Sequence, residues 1–216
     1  MFDMKSNIGT LIIMENLFTA YLVSEEAVEE PIGQQEYGLI RRCQDGEPEA
    51  MEQIVFLYQN KVYNIAYGLL GNEEDAKDIT QEAFLRVWEK AGQFQFRSSF
   101  STWLYRIVVN LCNNERRRKK PDSSYMDVFD LGDQLSADTD TPESMVLMTE
   151  QQEMLKLALT KLKKKYREVI ILRDMEGLSY EEISKIAGCS LGRVKSRLHQ
   201  ARMQLRQILV RQERGA

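Results

Sequence analysis

LSYEEISKIAGCSLGRVKSRLHQARMQLRQIL, residues 178–209, is the stretch whose reading decides the fold. Ser179 and Glu182 stand three apart ahead of an apolar run, the spacing of a capping box, and Leu178 with Ile183 forms a hydrophobic staple. Ile183, Ile186 and Ala187 give a short helix one apolar face. Gly188 supplies a left-handed turn residue, and Ser190 caps the next helix. Val194, Leu198, Ala201, Leu205 and Leu209 then recur at helical spacing as an inward stripe. Arg193, Lys195, Ser196, Arg197, His199, Gln200 and Arg202 are left to face outward. A short helix, a tight turn and a longer basic helix make a helix-turn-helix, whose second helix enters the DNA major groove. Lys and Gln read base edges there, while Arg and Ser also grip phosphates. The bland reading of the same residues is a solvated basic helix in a bundle.

Outward from this stretch the chain reads as helical almost throughout. No run of alternating apolar and polar residues is long enough to propose a strand. The fold class is therefore all-α: two small helical domains joined by an acidic linker, the C-terminal one a helix-turn-helix. Helices are expected over about 36–44, 48–70, 73–91, 99–118, 143–162, 166–175, 180–187 and 191–211. Pro48 suits a first turn and Gly71 a C-cap. Ile54, Leu57, Tyr58, Ile65 and Leu69 are read as one buried side of the second helix. Asn72 is a good N-cap, and Glu73, Glu74 and Asp75 fill the positive end of the third helix. Arg116 to Lys120 place five bases at the negative end of the fourth, and Pro121 stops it.

The net charge is −4, which at face value argues against nucleic acid. Its distribution reverses that reading. Residues 121–155 carry nine acids and no base, whereas residues 156–216 carry 15 bases and six acids. Such asymmetry suits a nucleic-acid-facing C-terminal part beside an acidic linker. The parts are read as an N-terminal extension (1–35), a first helical domain (36–120), the linker (121–142) and a second helical domain (143–216).

Cys43, Cys112 and Cys189 are odd in number and form no CxxC, so they read as reduced thiols in a cytoplasmic protein. His199 is the one histidine, which leaves no zinc cluster to propose. Leu11 to Val23 is apolar, but it is short and interrupted by Glu15 and Asn16. It reads as a helix or loose extension rather than a spanning segment or signal peptide, and the pattern is as compatible with a start at Met14 as at Met1.

Two further surfaces carry chemistry. Asp75, Asp78, Glu82 and Glu89 recur at spacings of three, four and seven, with Gln81 nearby, as one acidic helical face. Such a face serves either solvation or a partner. The fourth helix carries Phe100, Trp103, Tyr105, Arg106, Asn110 and Asn113. Aromatics, amides and Arg on a helix that ends in bases can stack on and hydrogen-bond unpaired bases. Trp103 is read equally well as core. No carboxylate pair, nucleophile with base, or phosphate-cradling Gly loop offers a catalytic centre, so the chain is not read as an enzyme and no cofactor is expected.

The strings EEDAKDITQEAFLRVWEK (73–90), FSTWLYRIVVNLCNNERRR (100–118) and YREVIILRDMEGLSYEEISKIAGCSLGRVKSRLHQAR (166–202) together resemble the sigma-70 superfamily, in its small extracytoplasmic-function (ECF) branch. The resemblance covers about residues 36–211. It implies a transcription initiation factor that directs core RNA polymerase to promoters. It implies that Asp75, Asp78, Gln81 and Glu82 dock on the coiled coil of the polymerase's largest subunit. It implies −10 recognition and melting by Phe96, Arg97, Ser98, Trp103, Arg106 and Asn110. It implies −35 recognition by Arg193, Lys195, Ser196, Arg197, His199 and Gln200. Arg193 departs from the Thr common in the family, which suggests a charged phosphate contact. An anti-sigma factor is the partner that usually controls such proteins. The rival reading is an autonomous helix-turn-helix regulator that binds operator DNA without polymerase.

Overall fold

The computed structural model describes residues 33–119 and 150–215. The N-terminal residues 1–32, the linker and the start of the helix expected from 143 lie outside the described residues. The described residues contain helices and no strand. In chain order these are α1 (Gly33–Gln44), α2 (Pro48–Leu70), α3 (Glu73–Lys90), a short 3₁₀ turn (Ala91–Gln93), α4 (Phe100–Lys119), α5 (Glu150–Thr160), α6 (Lys164–Ile170), α7 (Tyr180–Ala187) and α8 (Leu191–Gly215). A π-helical segment, Ile171–Met175, extends α6 without a break.

Local chemistry sets the boundaries. The Asn72 side chain accepts from the Asp75 N–H at 2.9 Å. The Gly71 N–H donates to the Tyr67 carbonyl as α2 ends. At α7 the capping box closes both ways: Ser179 Oγ accepts from the Glu182 N–H at 3.2 Å, and the Glu182 carboxylate accepts from the Ser179 N–H at 2.9 Å. Gly188 takes φ 58°, a conformation that a side chain with a Cβ resists, so α7 turns sharply into α8.

α1 to α4 pack as a helical unit. Ile54, Tyr58, Val62, Ile65 and Leu69 of α2 face Ala76, Ile79, Ala83 and Val87 of α3 and Leu104, Val108 and Cys112 of α4, all buried. Leu57 was expected on that buried side and is instead 52% exposed. Its neighbours Ile54 and Tyr58 already fill the inward direction, and one residue is a 100° turn of the helix. α5 to α8 form the second unit, with Val194, Leu198, Ala201, Leu205 and Leu209 all buried as the stripe predicted.

The two units share a contiguous buried cluster. Gly68 of α2 lets Ile171 approach: a Cβ there would stand 2.9 Å from Ile171 Cδ1. Arg167 is the polar counterpart of that contact. Its side chain is buried and donates to the carbonyls of Leu159 (2.7 Å), Leu162 (3.1 Å) and Thr160 at the end of α5, and to Leu69 (2.9 Å) at the end of α2. Helix C-termini leave their last carbonyls without intrahelical partners. One guanidinium therefore satisfies both units at once. Burial pushes its pKa down to about 10, with Arg116 adding repulsion, so it stays charged at neutral pH.

Arg167→Ala strands these buried carbonyls. The expected cost is on the order of 2–4 kcal/mol, from leaving several acceptors unsatisfied. Urea unfolding of the full chain checks it, and a midpoint unchanged from wild type would contradict the role.

Candidate nucleic-acid and partner interface

Three exposed surfaces follow the three expected site groups. On α3, Asp78 and Gln81 are exposed and Glu82 and Asp75 half-buried. The stripe is not a bare row of acids. Lys119, in the basic end of α4, sits 2.6 Å from Asp75, whose side chain is only 18% exposed. Arg86 bonds Glu82 at 2.7 Å and reaches Glu89 at 3.9 Å. Asp75 is therefore partly a fold contact, while Asp78 and Gln81 stand free of any hydrogen bond or ion pair among the described residues. The Arg86 guanidinium is held above its ordinary pKa by Glu82 and Glu89.

Sequence reasoning missed the apolar part of this surface. Leu85 is 59% exposed and Trp88 41% exposed on α3, and Phe56 of α2 is 78% exposed. Trp88 closes a shallow groove with Pro48, Met51 and Val55. The signal was present at positions 85 and 88, since neither falls on the buried 76–79–83–87 face.

The second surface is the loop after the 3₁₀ turn together with α4. Phe96 has φ 56°, rare for a residue with a Cβ. Its ring lies 4.5 Å from Tyr37 and 4.8 Å from Phe94, with the Arg41 guanidinium 4.8 Å away over its face. Phe94 continues the cluster to Phe100 and Trp103, at 5.8 and 5.2 Å. Trp103 is half-buried, so it is both packed and reachable. Gln44 fixes the turn by donating to the carbonyls of Ala91 and Phe94 at 2.9 and 2.8 Å. Arg97 is exposed and Ser98 half-buried, while Arg106 and Asn110 are exposed further along α4.

The third surface is α8. Arg193, Lys195, Ser196, His199 and Gln200 are exposed together. Ser190 Oγ accepts from the Arg193 N–H at 3.4 Å, as the predicted cap. Arg197 is half-buried and donates to Cys189 Sγ at 3.6 Å. Arg202 faces outward as expected and is exposed, and it is also tied to Asp174 at 2.5 and 3.0 Å, which clamps α8 to the π segment.

The structure brings two of these sets together. Arg106 and Asn110 of α4 and Arg197 of α8 line a common cleft of about 570 Å³. Elsewhere between α4 and α7, the Glu182 carboxylate accepts from Ser99 Oγ and Thr102 Oγ1, both at 3.2 Å. Burial pushes the Glu182 carboxyl up, but these hydroxyls and the Ser179 N–H and hydroxyl outweigh it and hold it below its ordinary value. The buried Cys112 thiol is pushed up to about 12 by desolvation and stays protonated, and Cys43 is raised likewise. The three cysteines are unpaired, and no cluster of three or more metal-ligating side chains occurs among the described residues. No described helix is long and apolar enough to cross a membrane.

Residues 54–121 match the family model Sigma-70 region 2, and residues 152–205 match Sigma-70, region 4. The ECF RNA polymerase sigma factor SigW of Bacillus subtilis is 38% identical over 177 residues, covering 79% of this chain and 94% of that protein. The RNA polymerase sigma-H factor of Pseudomonas aeruginosa is 34% identical, covering 78% of this chain and 91% of that one. Among solved structures, the sigma factor RpoE of Bartonella quintana, crystallised with the anti-sigma factor NepR, matches with a TM-score of 0.57 and 28% identity. It covers 73% of this chain and 95% of that one.

The Glu182 geometry predicts an acid-side loss of stability. Its folded pKa lies below the unfolded one, so its contribution is present above the ordinary carboxylate range and lost as pH falls through the lowered value. Glu182→Gln should lower the thermal midpoint at neutral pH and flatten its decline on acidification. A parallel decline in both proteins would contradict this.

Proposed function

The chain belongs to the sigma-70 family of RNA polymerase sigma factors, in its extracytoplasmic-function branch, and from that membership we propose how its three surfaces divide the work. As an RNA polymerase sigma factor it directs core polymerase to promoters and initiates transcription there. The observation that supports the division is that three exposed surfaces of different chemistry follow one another along a single chain.

In this reading α3 docks on the largest polymerase subunit. Asp78, Gln81 and Glu82 supply charge and hydrogen bonds, and Asp75 contributes through its exposed edge. Leu85 and Trp88 add the apolar area that an interface core needs. The positive-φ Phe96 loop, with Arg97 and Ser98, receives an unstacked −10 base, the strained backbone holding the loop in shape. Trp103 offers a ring face, while Arg106 and Asn110 grip the opened strand. On α8, Lys195, Ser196, His199 and Gln200 read −35 base edges, and Arg193 and Arg197 contact phosphates.

Residues 36–120 and 143–216 act as two domains in this scheme, with the acidic 121–142 segment running between them through the polymerase. Docking on polymerase then spaces the domains so that two weak DNA contacts act together. The protein supplies recognition and melting, the nucleotidyl chemistry belongs to the polymerase, and the place of action is the cytoplasm. An anti-sigma factor is proposed as its inhibitor, since the Bartonella quintana relative was solved with one.

Run-off transcription with core polymerase tests the whole reading. Stimulation by the full chain is expected; tight duplex binding without stimulation would favour an autonomous regulator. Charge reversal of Asp78 and Glu82 should abolish core binding in a pull-down, and an unchanged pull-down would count against α3. Lys195→Ala should lower −35 discrimination by about 1–3 kcal/mol. Equal loss on all sequences would make Lys195 a phosphate contact.

A further inference from the structure

The cleft between α4 and α6–α8 has a charge imbalance that the fold does not resolve. Arg106, Lys164, Lys165, Lys185 and Arg197 line it, against the single carboxylate of Glu168. These cations come from four different helices, so the imbalance is assembled by the tertiary fold and not by a run of basic sequence. Arg106 and Lys185 have no ion-pair partner among the described residues. Burial pushes the Glu168 carboxyl up, which weakens the one available counter-charge, although Lys164 and Arg197 pull it back down.

The same imbalance extends behind the wall. Arg116, one turn beyond Asn113 on α4, is half-buried, and its Nη1 has no hydrogen-bond partner among the described residues. Burial, then the positive charge of Arg116 and Arg117, holds the Lys164 ammonium below its ordinary pKa despite Glu168. Arg116 presses on Arg167 in the same way. Lys164 and Arg116 are partly desolvated while Arg106 and Lys185 stand exposed at the same cleft, and a multivalent anion would neutralise several of them at once.

Shape narrows the class of anion. A cleft of about 570 Å³ between packed helices is the size of a small-molecule site. Asn110 and Asn113 add amide donors along one wall. Lys and Arg converging with amides on one open cleft is the donor set that holds a phosphate chain.

We propose that this cleft is a binding site for an oligophosphate anion, either inorganic pyrophosphate or the phosphate chain of a nucleotide, held between α4 and the α6–α8 unit. Because the anion touches both units, its binding favours their packed arrangement by simple linkage. An occupied cleft also covers Arg106 and Asn110, so the anion and a −10 strand exclude each other. That consequence rests on the −10 reading of α4; the anion site does not.

Calorimetric titration of the full chain at low salt tests the site, with pyrophosphate and ATP in separate arms. Saturable one-to-one binding is expected in at least one arm, and the tighter arm assigns the inorganic anion or the nucleotide. Lys164→Gln with Lys185→Gln should weaken it at least about tenfold, a loss of about 1.4 kcal/mol. Lys61→Gln with Lys90→Gln removes the same charge from exposed positions elsewhere and should leave it within about twofold. No saturation in either arm overturns the proposal, as does equal weakening by both pairs, which would mean diffuse attraction to a basic surface. If pyrophosphate and ATP fail to bind while the Lys164/Lys185 pair weakens a short single-stranded oligonucleotide, the cleft is a nucleic-acid track and the proposal is equally overturned. Failure of promoter competition alone, with anion binding intact, would instead count against the −10 reading.

Discussion

Arg167 buries a guanidinium where no carboxylate among the described residues answers it. Four carbonyl oxygens do so instead, three from the end of α5 and one from the end of α2. A charge removed from water is tolerated only when its donors are satisfied. The carbonyls at helix ends have the matching need. That mutual requirement fixes where α2 stops relative to α5 and α6. From there it sets the Gly68–Ile171 approach, the packing of α7 on α4, and the cleft between them.

The functional surfaces inherit their geometry from this arrangement. α3 is supported by α2 and α4, so its outward face carries Asp78 and Gln81 together with Leu85 and Trp88. The Phe96 loop is held by Gln44 from α1 and by a chain of aromatic rings, which maintains a positive φ at a residue that resists one. α8 is braced by the Asp174–Arg202 pair, leaving Lys195, Ser196, His199 and Gln200 clear. Each surface has a neighbouring element that satisfies its backbone or its charge, a condition for a preorganised recognition site.

The acidic net charge has a structural meaning as well. Positive charge concentrates on α8 and around the cleft, while part of the acid on α3 is neutralised locally by Arg86 and Lys119. The α3 face is thus less acidic than its sequence suggests. The cleft is more basic than any single helix suggests, because four helices each contribute one or two cations.

The amino-acid sequence by itself determined whatever is local in origin. Capping at Asn72 and Ser179, the turn at Gly188 and the buried stripe of α8 were all legible, because each depends on residues within a turn or two of one another. The family resemblance rested on the same local strings. The tertiary structure alone decided what depends on distant partners. Leu57 points outward because Ile54 and Tyr58 fill the core, Asp75 is engaged because α4 ends beside it, and Arg202 is tied down because the π segment presents Asp174. The groove of Trp88 with Pro48, Met51 and Val55 could not be assembled from periodicity, since it spans two helices. The cleft was the least legible feature. Its cations lie up to 91 positions apart, from Arg106 to Arg197, and only the packing that Arg167 enforces brings them together.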